Sequence, residues 1–254
     1  MMKELKKDGL KCKIFENRDL MGKNAADDIH DKIIELLKEK PLINMIFAAA
    51  PSQNEVLAEL VKMTDIPWER INAFHMDEYI GLSENAPQRF GTFLKNAIFD
   101  KVPFKSVNLI NGNASDIDAE CARYTKLLKE NPVDIVCLGI GENGHIAFND
   151  PGVADFHDIK SIKIAELDHI CRNQQVNDGC FQTLDEVPKY ALTLTIPALT
   201  AAKYMVCVVP SDKKAVAIKN TMTEEINEKC PATIMRKHNN AVLYCEKDSG
   251  QYLL

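Results

Sequence analysis

The chain has 254 residues, 46% of them hydrophobic and 27% charged, which is enough to bury a sizeable core without disulfide or metal staples. Two small domains would fit that length, but one domain over residues 1–254 is the expectation. A net charge of −6 argues against a general nucleic-acid or membrane-surface binder, so an anionic ligand would need a local positive pocket.

In chain order, the N-terminal MMKELKKDGLKCKIF lacks an apolar signal core, and no run approaches the ~18 residues of a membrane span. Lys11 to Phe15 reads as a first short strand. Asn24 to Lys40 places Ile29, Ile33, Ile34, Leu36 and Leu37 on one helical face, and Pro41 ends that helix. LINMIFAAA (Leu42 to Ala50) is a buried strand, followed by a helix in which Ser52 or Asn54 is a candidate cap. With Gln53, Ser52 also forms a strand-to-helix turn suited to an anion, because unpaired amides and the helix dipole point the same way.

Ile71 to His75 is a third strand, ending in the adjacent acids Asp77 and Glu78. A helix over residues 86 to 99, a strand over Val107 to Leu109 and an amphipathic helix over Ile117 to Lys129 precede VDIVCLGIGENGHIAFNDP (Val133 to Pro151). That run, nearly free of polar residues after Asp134, is expected at the centre of a parallel sheet covered on both faces. It stops at Gly139, Gly141 and Gly144 and delivers His145 just beyond the strand's carboxyl end, where open α/β sheets bind ligands. The three glycines also spell G-x-G-x-x-G. Pro151, six residues after His145, interrupts the long helix that a dinucleotide site requires.

Ile159 to Leu167 follows, then a polar piece, DHICRNQQVNDGCF, then VPKYALTLTIPAL, whose alternation suggests a strand with one wet face. KYMVCVVP is a further buried strand, and SDKKAVAI opens a helix with Lys213 and Lys214 in its first turn. Cations there oppose the helix dipole, which suggests that an anion shares the site. PATIMRKH reads as a short helix and AVLYCEK as an edge strand. The eight cysteines are scattered singly with no C-x-x-C pair, which argues against structural zinc and for reduced thiols in the cytoplasm.

Alternating strands and helices indicate a Rossmann-like α/β fold, doubly wound around a mostly parallel sheet. Ser52, Gln53, Asp77, Asn143, His145, Asp150, Arg172 and Lys214 all fall at strand ends or helix starts. Acid–base groups beside anion holders suit proton transfer on a phosphorylated small molecule.

FHMDEYIGL (Phe74 to Leu82), NLINGNASDIDAEC (Asn108 to Cys121), LGIGENGHIAFNDP (Leu138 to Pro151), VPKYALTLTIPAL and KKAVAI together resemble the glucosamine-6-phosphate deaminase/isomerase family. The resemblance runs from about Leu42 to the final strand and is most specific in G-H-I-A-F-N and M-D-E-Y. It implies a modified Rossmann-like fold, deamination and isomerisation of glucosamine 6-phosphate to fructose 6-phosphate, and no metal or redox cofactor. Matched by motif, Asp77 would shuttle the C2 proton, His145 would serve ring opening, and Asp150 would orient and tune the imidazole. Lys214, Ser52 and Gln53, with Arg172, would hold the phosphate. The implied partner is a small sugar phosphate, with neither nucleic acid nor membrane; a homo-oligomer is allowed.

Three positions depart from the family pattern. Asn143 stands where Asp is usual, so it supplies no charge, although its amide oxygen could accept an imidazole N–H. Asp150 stands where Glu is usual, and AAAPSQN replaces a glycine- and threonine-rich phosphate loop. The segment GVADFHD after Pro151 lacks the serine and basic residues of the family's allosteric site, so no such activation is expected. A 6-phosphogluconolactonase shares the fold and loop but typically continues A-S-L-F-P after its histidine. Deamination of another hexosamine phosphate such as galactosamine 6-phosphate remains open, as does a non-catalytic sugar-phosphate sensor, although no helix-turn-helix segment is evident.

Overall fold

The computed structural model describes residues 1–254. Its elements run β1 (Lys3–Lys7), β2 (Leu10–Phe15), α1 (Arg18–Glu39), β3 (Ile43–Phe47), α2 (Asn54–Lys62), β4 (Ile71–His75) and β5 (Asp77–Tyr79). They continue with α3 (Phe90–Leu94), β6 (Ser106–Asn108), α4 (Ile117–Glu130), β7 (Ile135–Leu138), β8 (Ile162–Glu166) and α5 (His169–Asn177). The chain closes with β9 (Tyr190–Leu194), α6 (Ile196–Thr200), β10 (Tyr204–Val209), α7 (Ala215–Thr223) and β11 (Ala241–Glu246). No helix is long and apolar enough to cross a membrane.

Eight strands form one sheet in the order β1-β2-β11-β10-β7-β3-β4-β6, parallel throughout except for the β1–β2 hairpin. Every residue of β3, β4 and β7 is buried, as the unbroken apolar runs require of strands covered on both faces. From β3 the chain winds outward to β4 and β6; from β7 it winds the opposite way to β10 and β11. The reversal leaves a crevice beyond the carboxyl ends of β3 and β7.

α1 begins where Asn17 accepts the Leu20 N–H (2.9 Å), and it buries Met21, Ala25, Ala26, Ile29, Ile33 and Leu36. Gly22 allows α2 to approach, because a Cβ there would lie 2.4 Å from Glu55 Cβ.

The differences from the sequence reading are local and have physical causes. β1 is a charged strand, KELKK, with no apolar run to announce it; its hairpin with β2 flanks AVLYCEK and makes β11 an interior strand, not an edge. β9 pairs with β5 on one side and β8 on the other in a separate antiparallel three-stranded sheet. β9 has no wet face: Ala191, Leu192, Thr193 and Leu194 are all buried, and only Tyr190 is exposed. The polar piece after Leu167 contains α5, whose cap is the Asp168 carboxylate accepting the Cys171 N–H (2.6 Å). Neither Ser52 nor Asn54 caps α2, which grows directly out of a tight turn over Pro51–Gln53. The helix expected over residues 86 to 99 starts at Phe90 and widens into a π turn over Lys95–Phe99.

Candidate active site

A cavity of about 630 Å³ opens at the crevice, and Ser52, Asp77, His145 and Lys214 all line it. The loop after β7 brings His145 back against its own start. Gly141 N–H donates to His145 O (2.9 Å), and a Cβ on Gly141 would lie 2.2 Å from the imidazole, so only glycine leaves room for the ring. Gly144 supports the turn with φ +85°.

His145 Nδ1 lies 2.7 Å from Asp150 Oδ1, and both side chains are buried. A carboxylate at that distance favours the ring proton on Nδ1, which leaves Nε2 as the free nitrogen. Asn143 does not meet the imidazole as expected: its Oδ1 accepts the His145 backbone N–H (3.0 Å), and its Nδ2 donates to Asp150 Oδ1 (2.9 Å). Burial raises the Asp150 carboxyl, but His145 and the Asn143 amide outweigh it and hold the group below the usual carboxylate range.

Alternation along β5 sends its two acids to different tasks. Glu78 accepts the backbone N–H groups of Tyr79, Phe90 and Gly91, fixing the start of α3. Asp77 is buried at the cavity wall, and desolvation, then the Glu78 charge, pushes its carboxyl well above the usual range. His75, at the end of β4, accepts the Ile110 N–H at Nε2 (2.7 Å). Burial lowers its pKa to about 3, so it is a neutral structural histidine.

The phosphate candidates divide. Lys214 Nζ is buried with no hydrogen-bond partner, and its nearest carboxylate oxygen, Glu142 Oε1, is 3.9 Å away. Burial lowers the lysine's pKa, while Asp178 and Glu142 oppose the shift. A buried ammonium without a close counter-ion is costly, and an anion in the cavity would relieve that cost. Ser52 Oγ sits beside Gly139, whose Cβ would lie 3.1 Å from it.

Gln53 and Arg172 do not join them. Gln53 is fully buried, with Nε2 3.2 Å from Leu138 O and 3.3 Å from Val208 O, so its amide ties together the ends of β7 and β10. The Arg172 guanidinium is tied through Nε and Nη2 to Leu184 O (2.6 Å) and Val187 O (2.9 Å). It is absent from the cavity lining, although Gln174 and Gln175 of the same helix do line the cavity. Sequence reasoning passed over Arg18, which lines the cavity from the start of α1, and Gln174, whose Oε1 accepts the Glu142 N–H (2.9 Å). Neither lies in a strand-end motif. The spacing of cationic residues in α1 (Arg18, Lys23, Lys32 and Lys38) carries no sign of which one faces a ligand.

One donor set could hold a cation: a ring nitrogen of His145, an oxygen of Asp150 and the Cys171 sulfur lie within 4.8 Å of one another. The His145–Asp150 contact already engages two of the three. Burial and the neighbouring acid charges push the Cys171 thiol up, away from the thiolate that would bind a metal. The arrangement is thus one for proton transfer: a buried carboxyl with raised affinity for protons, an imidazole fixed by a second carboxylate, and an ammonium for an anion.

Residues 16–244 match the family model described as glucosamine-6-phosphate isomerases/6-phosphogluconolactonase. A glucosamine-6-phosphate deaminase of Bacillus cereus (strain B4264) is 34% identical over 212 residues, covering 84% of this chain and 78% of that protein. The glucosamine-6-phosphate deaminase of Lactobacillus delbrueckii subsp. bulgaricus (strain ATCC BAA-365 / Lb-18) is 33% identical over 244 residues, 96% of this chain and all of its own. Among solved structures, a monomeric glucosamine-6-phosphate deaminase superposes with TM-score 0.85 at 26% identity, covering 94% of this chain and 98% of its own. The 6-phosphogluconolactonase of Thermotoga maritima shares the fold with TM-score 0.74 at 19% identity, covering 93% and 99%.

Proposed function

The chain belongs to the glucosamine-6-phosphate isomerase/6-phosphogluconolactonase family, and on that premise we propose that it converts glucosamine 6-phosphate and water into fructose 6-phosphate and ammonia. The observation that carries the choice within the family is Asp77. Hydrolysing a lactone calls for an activated water, whereas moving hydrogen between adjacent carbons calls for a base that takes a proton from carbon and returns it. A buried carboxyl with raised proton affinity, facing the same cavity as the His145–Asp150 pair, suits the second task.

In the proposed sequence His145 Nε2 exchanges protons with the ring and anomeric oxygens, opening the sugar to its aldehyde. Asp77 removes the C2 proton, giving an enolamine, and returns it to C1. The C2 imine that results adds water, and its C–N bond breaks to release ammonia and leave the ketone. Asp150 holds the imidazole, and Asn143 holds both the His145 backbone and Asp150. Lys214 and Ser52 hold the phosphate. We extend the reading to one domain acting in the cytoplasm on a small sugar phosphate, with no metal or redox cofactor in the steps.

Ammonia release, followed in parallel on glucosamine 6-phosphate and galactosamine 6-phosphate with EDTA present, tests the assignment. Turnover with the larger kcat/KM on the glucosamine ester is the expected result. A preference for the galactosamine ester would keep the mechanism and change the substrate, and silence on both, with tight binding, would make the protein a sensor.

The observed role of Asn143 also sets the expected sign of a substitution. Asn143→Asp would replace the amide donor to Asp150 with a second carboxylate, and two such groups at hydrogen-bond distance trap a proton between them. The expected result is a fall in kcat of about tenfold near neutral pH, as the hold on His145 weakens. A faster Asn143→Asp enzyme in steady-state ammonia assays would contradict the geometry assigned to this triad.

A further inference from the structure

We infer that Arg18 is a phosphate-binding residue of this site, held in place by Glu55; the inference rests on the sugar-phosphate reading above. With Gln53 committed to backbone carbonyls and Arg172 outside the cavity lining, Lys214 and Ser52 would face a dianion with one close cation. Lys213 also lines the cavity, but its Nζ reaches back to Asn177 O (3.4 Å). Arg18 supplies a further cation from an element that the family resemblance does not single out.

The count of donors carries the argument. A guanidinium has five N–H groups in a fixed plane. Arg18 Nε donates to Glu55 Oε1 (2.9 Å), and Nη2 donates to Glu55 Oε2 (2.9 Å) and to Pro51 O (3.1 Å). Three donors are spent, and both N–H groups of Nη1 remain. Because the fork is planar and one edge is clamped, the direction of the remaining pair is fixed before any ligand arrives.

Arg18 lines the cavity together with Ser52, Ser211, Lys213 and Lys214. Its bond to the Pro51 carbonyl sets it against the turn that carries Ser52. The clamp is itself built into the helix pair. Glu55 opens α2, and its Cβ packs where the missing side chain of Gly22 leaves room, so α1 and α2 meet at the point that holds the arginine. Immobilising a long side chain ordinarily costs binding energy, and here the fold meets that cost in advance. Glu55 therefore acts as a positioning residue and Arg18 as a binding residue.

The test compares wild type, Arg18→Ala, Arg18→Lys and Glu55→Gln, reading kcat and KM for glucosamine 6-phosphate and calorimetric Kd for fructose 6-phosphate and inorganic phosphate. Arg18→Ala is expected to raise KM and both Kd values about 10- to 30-fold, with kcat changed less than about threefold. Arg18→Lys should fall between the two, because it keeps the charge and loses the fork. Glu55→Gln, which keeps the shape of the clamp, should weaken phosphate binding by about threefold and serves if Arg18→Ala does not fold. Unchanged phosphate affinity in folded Arg18→Ala, or in Glu55→Gln where the former does not fold, would overturn the inference. Loss of inorganic phosphate binding in Arg18→Ala, in a wild type that releases no ammonia, would uphold Arg18 while removing the deaminase reading.

Discussion

Asp77→Asn is expected to lower kcat for ammonia release about 10³-fold while leaving KM for glucosamine 6-phosphate within about threefold, because general-base removal typically costs 10²–10⁴ in rate. The side chain keeps its size and its place on β5, so the phosphate end of the cavity is untouched. An amide cannot take a proton from C2, and solvent hydrogen exchange at that carbon should vanish with turnover. The wild-type pH profile carries the same signature. Desolvation and the Glu78 charge raise the folded-state pKa of Asp77, so the base is protonated and inactive at pH values where an ordinary carboxylate, near 3.9, is already ionised. The acid limb of kcat/KM should therefore lie above the ordinary carboxylate range. Retained C2 exchange in Asp77→Asn would remove Asp77 from the role of base.

His145→Gln is the second large effect, an expected loss of about 10²-fold or more in kcat with modest change in KM, since it removes proton transfer to the ring oxygens but no phosphate contact. The partner variant separates the ring from its support. Asp150→Asn presents an amide to Nδ1 in place of a charged acceptor, so the imidazole is no longer held with its proton on Nδ1 and Nε2 free. It should retain more activity than His145→Gln and less than wild type. If Asp150→Asn were fully active, the 2.7 Å contact would be a structural tie with no part in the chemistry.

The central strand and its loop were legible because several constraints coincide there. The run from Ile135 to Leu138 is apolar without break, the glycines follow at once, and His145 and Asp150 are brought together by a turn of six residues. Asp77 was legible for the same reason, as an acid at the end of the β4 run. Residues whose direction depends on tertiary packing were not. Arg172 is a cation on a helix near the cavity, but its guanidinium is tied to the carbonyls of Leu184 and Val187, which no sequence pattern marks as its partners. α5 itself escaped notice because its buried positions are Cys171, Gln174 and Gln175, which form no apolar stripe. Likewise, alternation in β8 and β9 gives strands but not the sheet they join, and β11 reads as an edge until the β1–β2 hairpin is laid beside it. Arg18 precedes every motif, and only its clamp by Glu55 and Pro51 marks it.

The most direct measurement follows the protein with glucosamine 6-phosphate by NMR, quantifying ammonia and fructose 6-phosphate in one tube, beside a second tube that monitors hydrolysis of 6-phosphogluconolactone. The account predicts the two products in equal amounts and no acceleration of lactone hydrolysis. Rapid lactone hydrolysis with no ammonia from the amino sugar would contradict it, and would make Asp77 a wall of a lactonase site instead of a base that moves hydrogen between carbons.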